Sequence, residues 1–118
     1  MESSSLFITN FDGCLWTYPA DEWRRVESQV ATLSQFKSEV IALQRFFVSA
    51  AHECVLDSQG RILIPPTLRD YADLHREIVI VGMLRRFEIW SRPRWDSAFQ
   101  EAEHRIGGVA DRLAELGI

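Results

Sequence analysis

Arginine is the only strong cation between residues 61 and 94, where seven stand against four acids. Residues 1–60 carry four Lys or Arg against eight acids, and residues 95–118 carry two against five. The net charge of −4 therefore hides a basic middle. A guanidinium is a rigid planar fork that matches a phosphate or the edge of a guanine, so this block has the chemistry to meet nucleic acid. Ordinary surface variation produces such a block too, and charge alone favours that plainer reading. The most ordered placement is Asp57-Ser58-Gln59-Gly60-Arg61 between two apolar runs. Geometry alone has Asp57 cap the turn, Gly60 take a positive φ, and Arg61 form a cross-strand ion pair. Arg85 and Arg86 fall in a second turn, exposed by position, where a solvated turn and a phosphate contact compete. Arg69, Arg76, Arg92 and Arg94 join a basic face only if the fold turns them the same way.

Other chemistry is thin. His52 and Cys54 are two apart on a strand, but no third or fourth ligand has suitable spacing, so neither a metal nor a cofactor is expected. The chain has no nucleophile–base order signal and no phosphate loop, which argues against an enzyme. Cys14 and Cys54 match no redox spacing and read as buried, reduced thiols of a cytoplasmic protein. No run approaches the roughly 20 apolar residues of a membrane span, and Met1–Ser5 has no basic or apolar signal region. Trp23, Trp90 and Trp95 invite base stacking, yet their regular positions favour core packing. Trp16 is expected on the other face of the sheet.

These side chains are held by elements that recur. A shift of 72 residues lays Leu6-Phe7-Ile8-Thr9 over Ile78-Val79-Ile80-Val81, Leu15 over Phe87, Tyr18 over Trp90 and Trp23 over Trp95. Pro19 and Pro93 stand between the last two pairs. Each copy reads strand, turn, strand, then a helix opened near a proline. After Ala20 the stripe Trp23, Val26, Val30 and Leu33 predicts an amphipathic helix. Ser34 is expected to cap a second one, with Phe36, Val40, Leu43, Phe47 and Ala50 on one face. Glu53–Leu56 and Arg61–Ile64 are expected to be strands around the Asp57–Gly60 turn. Pro65-Pro66 stop the second of them, and a short helix follows over Thr67–Leu74. The final elements are strands near Glu77–Val81 and Arg86–Trp90, a helix from about Arg92 to Arg105, a Gly107-Gly108 break and a short terminal helix. The 72-residue offset puts the counterpart of the Asp57–Arg61 turn ahead of Met1, so the first repeat is expected to lack its front half.

The successive stretches DGCLWTYPADEW, ECVLDSQGRILIPPTLRDYADL and EIVIVGMLRRFEIWSRPRW resemble the MraZ family in order and spacing, over about Leu6 to Trp95. The resemblance implies an α+β fold of swapped-hairpin, AbrB-like barrel elements with flanking amphipathic helices. Residues 1–51 would be the remnant of a first repeat, a hairpin plus two helices. Residues 52–118 would be the second repeat with its terminal helices. The resemblance also implies a cytoplasmic, nucleoid-associated transcriptional regulator of division and cell-wall genes. It would assemble into a ring-like homo-oligomer on repeated boxes of double-stranded promoter DNA. Arg61 would face that DNA and Asp57 would orient it, with Arg69, Arg85 and Arg86 as further contacts. The absence of the first Asp-x-x-x-Arg motif removes half of the expected reading surface. The alternative is accordingly an oligomerisation module that has lost DNA reading.

Overall fold

The computed structural model describes residues 5–118. Met1–Ser4, most of the start read above as no secretory signal, lie outside the described residues. Strands β1 (Ser5–Phe11) and β2 (Cys14–Pro19) form a hairpin closed by Asp12-Gly13, both left-handed at φ 58° and 80°. Such a two-residue turn matches the twist of the flanking strands. Pro19 ends β2 and stands at the N-cap of α1 (Ala20–Ala31), with Asp21 and Glu22 in the first turn where the helix dipole favours acids. Helix α2 (Ser38–Leu43) runs into a π-helical turn, Gln44–Val48. Next come β3 (His52–Val55), α3 (Pro66–Ala72), β4 (Ile78–Gly82) and β5 (Phe87–Ser91). Helix α4 (Arg92–Arg105) follows, then a 3-10 turn at Ile106–Gly108 and α5 (Ala110–Glu115).

The repeat expected from the sequence is present element by element. Helices α1 and α4 begin at Ala20 and Arg92, and α2 and α5 at Ser38 and Ala110, both pairs 72 residues apart. Asp12 and Leu84 share that offset and the left-handed conformation, Leu84 at φ 69°. The five strands form one antiparallel sheet in the order β3-β1-β2-β5-β4. At the β2–β5 seam Trp16 pairs with Glu88, and these two are themselves repeat equivalents. A local pseudo-twofold axis therefore passes between them and exchanges the two hairpins. Strand β3 reaches back to β1, Ser5 opposite Val55 and Ile8 opposite His52, so the 1–51 and 52–118 segments interleave in one sheet. That sheet is open. Among the described residues β3 and β4 are its edges, and with no strand beyond β4 the expected barrel does not close.

Each face of the sheet carries a core. Ile8, Leu15, Cys54 and Ile89 pack under Leu68 and Ala72 of α3, with Ile62 and Ile64 at the margin. The opposite face holds Tyr18, Trp23 and Phe47, bordered by Phe7, Trp16 and Val26.

Three local expectations are corrected. Arg61–Ile64 is not a strand. It keeps the alternation of one, with Ile62 and Ile64 half-buried and Arg61 and Leu63 exposed. The turn closes with Asp57 N–H donating to the Arg61 carbonyl, and Pro65 and Pro66 beyond have no N–H to extend a ladder. Ser34 does not cap α2, whose N-cap is Lys37. The Thr32 hydroxyl and amide both donate to Gln29 and end α1, and the chain turns through 33–37 before Ser38. Phe36 is consequently exposed, while Val40 and Phe47 of the same stripe are buried. Trp16, finally, shares its face with Tyr18, as strand alternation requires of residues two apart, and packs on Phe47 at 5.7 Å between ring centres.

Candidate nucleic-acid interface

The Asp57–Arg61 turn is built by its own side chains. The Asp57 Oδ1 accepts the N–H groups of Gln59 and Arg61, both at 2.8 Å, and Oδ2 accepts Arg61 Nε at 3.2 Å. Gly60 takes φ 77°, the left-handed conformation expected of it. The hydrogen bonds from Arg61 and Gln59 hold the Asp57 carboxyl below the usual carboxylate value. Arg61 is thus fixed through Nε, while its side chain stays 72% exposed. The remaining face of the guanidinium fork is turned to solvent.

Strand register shows what lies beside this turn. Val55 pairs with Ser5, Leu6 with Pro19, and Thr17 with Phe87, which also pairs with Gly82. The Asp57–Arg61 turn and the β4–β5 turn therefore leave the same end of the sheet. Arg85 in the latter is exposed, as is Arg69 on α3.

Arg86 departs from its expected exposure. Its guanidinium lies 3.5 Å from the ring centre of Trp16, and Nη2 donates to Glu88 Oε2 at 3.0 Å. Glu88 is buried, and its other oxygen accepts Trp90 Nε1 at 2.9 Å. Residues 86, 88 and 90 alternate onto one face, so Arg86 neutralises a carboxylate at the pseudo-twofold axis and closes an internal network. The signal was in the sequence: Arg, Glu and Trp at two-residue spacing on a strand.

Arg94 is also engaged internally. It donates to the carbonyls of Gly13 (3.1 Å) and Tyr71 (2.9 Å), and the Tyr71 hydroxyl in turn accepts Gly13 N–H at 2.9 Å. These bonds tie α3, α4 and the β1–β2 hairpin tip together. Sequence reasoning missed this anchor, because its partners are backbone groups 81 and 23 residues away. Arg92 stands within 3.9 Å of Asp96. Trp95 packs between Trp90 and Phe99 with tilted rings, and Trp23 is buried, so neither is a free stacking platform.

Both cysteines are buried free thiols. Burial first, then the neighbouring Glu88 and Asp12 carboxylates, pushes the Cys14 thiol up to about 12. His52 is exposed with Nδ1 at 2.9 Å from the Ala50 carbonyl. Among the described residues no three His, Cys, Asp or Glu side chains gather around a common point, and no helix is long and apolar enough to cross a membrane.

Two pseudo-symmetric hairpins in one interleaved antiparallel sheet, with an arginine turn preorganised at one end, define the class of this α+β protein. The family model for MraZ protein, described as antitoxin-like, matches residues 47–115. Transcriptional regulator MraZ of Natranaerobius thermophilus is 43% identical over 107 residues, covering 91% of this chain and 75% of the relative. The Desulfitobacterium hafniense DCB-2 protein of the same name is 45% identical over the same shares. The one from Pediococcus pentosaceus is 38% identical across all 118 residues and 82% of its own length. The chain belongs to the MraZ family.

Proposed function

We propose that this chain is a transcriptional regulator that binds double-stranded promoter DNA through the arginine turns at one end of its sheet. The observation that carries the reading is Arg61, fixed by Asp57 at Nε and open to solvent on the rest of its fork. An arginine immobilised before contact loses less conformational freedom on binding, and a planar fork can take a phosphate or a guanine edge. Arg85 and Arg69 are further contacts in this reading. Arg86 is left out of it, because its charge is committed to Glu88. Asp57 acts as a positioning residue, since a carboxylate close to phosphates is repelled.

One arginine turn gives little specificity. The reading therefore includes a homo-oligomer that sets several copies along repeated boxes, so that avidity supplies what a single turn lacks. Exposed apolar side chains on α4, the 3-10 turn and α5, namely Phe99, Ile106 and Leu113, support self-association. Residues 1–51 and 52–118 serve as the two repeats of the module, in a cytoplasmic protein associated with the nucleoid.

Fluorescence polarisation on a duplex with repeated promoter boxes, titrated across salt concentrations, tests the proposal. Binding should weaken steeply with salt, and Arg61→Ala should weaken it further and reduce the log–log salt slope by about 1. Arg61→Lys should keep the slope and lose affinity for the correct boxes. Binding that ignores salt, or is indifferent to Arg61→Ala, would refute the reading.

A further inference from the structure

The Arg61 turn is built by its own aspartate, whereas the β4–β5 turn at the same end of the sheet is held by a different device. It is a two-residue link in which Met83 N–H donates to the Arg86 carbonyl at 2.8 Å. Arg85 N–H donates to the Met83 carbonyl at 2.7 Å across Leu84, whose φ is 69°. A three-residue turn with a positive central φ is the strained variant, and it persists where its surroundings hold it. What holds this one is the residue that follows. Arg86 sets its guanidinium 3.5 Å from the ring centre of Trp16 on β2 and donates to Glu88, and its side chain is only 21% exposed. Trp16 is itself lodged against Phe11 and Phe47, with ring centres 4.8 and 5.7 Å away. The repeat shows that the clamp is particular to this turn. The positions 72 residues before Arg86, Glu88 and Trp90 are Cys14, Trp16 and Tyr18, so the first hairpin has neither the cation nor the carboxylate. Its tip is held from outside by Tyr71 and Arg94.

We propose that Arg86 is a positioning residue for DNA recognition: clamped on Trp16 and Glu88 across the β2–β5 seam, it fixes the backbone from which Arg85 reaches the duplex. The inference rests on the reading of this end of the sheet as the DNA-binding end. Arg85 and Arg86 share a peptide bond, so holding the Arg86 side chain against the sheet also holds the root of the exposed Arg85 side chain. An arginine on an unclamped turn would have to lose backbone freedom on binding, and that loss would be subtracted from its contact with a phosphate. The charge of Arg86 stays with Glu88, a buried carboxylate that would otherwise be uncompensated. Contact and positioning therefore leave different marks. Removing a contacting cation lowers both affinity and salt dependence, whereas releasing a clamp lowers affinity and leaves the salt dependence as it was.

The test follows arginine side-chain signals by NMR in the full chain, free and with a duplex of repeated boxes, beside polarisation titrations of variants. In the free chain the Arg86 side-chain protons should be shifted upfield by the Trp16 ring current, and those of Arg85 should not. On adding duplex the Arg61 and Arg85 guanidinium signals should move while those of Arg86 stay. Arg85→Ala should reduce the log–log salt slope by about 1. Arg86→Gln should weaken binding about tenfold at unchanged slope, and adding it to Arg85→Ala should cost nothing further. Arg86→Lys should restore most of the affinity. Circular dichroism checks that each variant folds, and the spectra of the unaltered chain decide the matter even where Arg86→Gln does not. An Arg86 without the ring-current shift, Arg86 signals that follow the duplex as far as those of Arg85, or additive losses in the double variant would each overturn the proposal. Weakening by Arg61→Ala with none by Arg85→Ala would overturn it and leave the DNA-binding reading standing, whereas an unaltered chain that binds no duplex would remove both.

Discussion

Asp57 commits both carboxylate oxygens to its own turn, and that single fact governs what Arg61 can do. Asp57→Asn keeps the acceptor for the Gln59 and Arg61 amides and loses the charge opposite Nε, whereas Asp57→Ala loses both. Affinity for promoter DNA is therefore expected to fall in the order Asp, Asn, Ala, as read by the polarisation assay. A carboxyl held low in the folded protein lends stability that is complete above its ordinary value of 3.8 and is lost as pH falls through the lower folded value. The amide shifts of Gln59 and Arg61 should accordingly titrate together with a midpoint below 3.8; a midpoint at or above it would mean the bonds are not formed in solution. Cys14 behaves in the opposite sense. Its folded value of about 12 exceeds the ordinary 9.0, so its contribution holds below pH 9 and fades as pH rises from there towards 12. At pH 8 the native thiol should resist a disulfide reagent that labels it at once in denaturant. Rapid labelling of Cys14 in the folded chain would contradict its burial.

At the level of elements, the sequence showed what depends on local pattern and hid what depends on distant backbone. Proline-led starts placed α1 and α4, and the 72-residue offset placed the hairpins. The left-handed glycine placed the arginine turn. Arg61–Ile64 alternates without being a strand, because alternation reports burial on one side, whereas a strand also needs a partner edge and free N–H groups. Phe36 continues the apolar stripe in sequence but is exposed, because the turn before Ser38 breaks the helix that would carry it. The π-helical turn has no pattern of its own: the buried Thr9 hydroxyl donates to the Phe47 carbonyl, so that carbonyl is satisfied outside the helix while Phe47 enters the Tyr18–Trp23 core. Phe47→Ala should therefore cost about 3–5 kcal/mol in urea unfolding, a core truncation rather than a helix defect. In the β4–β5 turn, Leu84 holds a left-handed conformation that disfavours a branched side chain, and it is fully exposed, so nothing in the fold compensates. Its repeat equivalent is Asp12, a residue type that tolerates this conformation. Leu84→Asn should raise stability by about 0.5–1 kcal/mol, visible as a higher urea midpoint at unchanged slope.

For the molecule as a whole, the consequence of interleaving is cooperativity. Two repeats in one chain invite the picture of two units joined in series, each able to open alone. Here β2 of the first segment and β5 of the second form the seam at the centre of the sheet, and β3 of the second covers β1 of the first. The core under α3 draws Ile8 and Leu15 from one segment and Leu68 and Ile89 from the other. Opening either segment would expose the apolar surface of both and strip hydrogen bonds from two strand pairs, so partial unfolding has no stable product. Trp23→Ala, within residues 1–51, and Leu68→Ala, within 52–118, should each lower the same single urea transition, by about 3–5 and 2–5 kcal/mol respectively. Tryptophan fluorescence, dominated by side chains on both sides of the seam, and far-ultraviolet circular dichroism should then give one coincident midpoint in each variant. Two separated midpoints in either variant would show that the repeats fold independently, and the shared seam would then contribute little to holding them together.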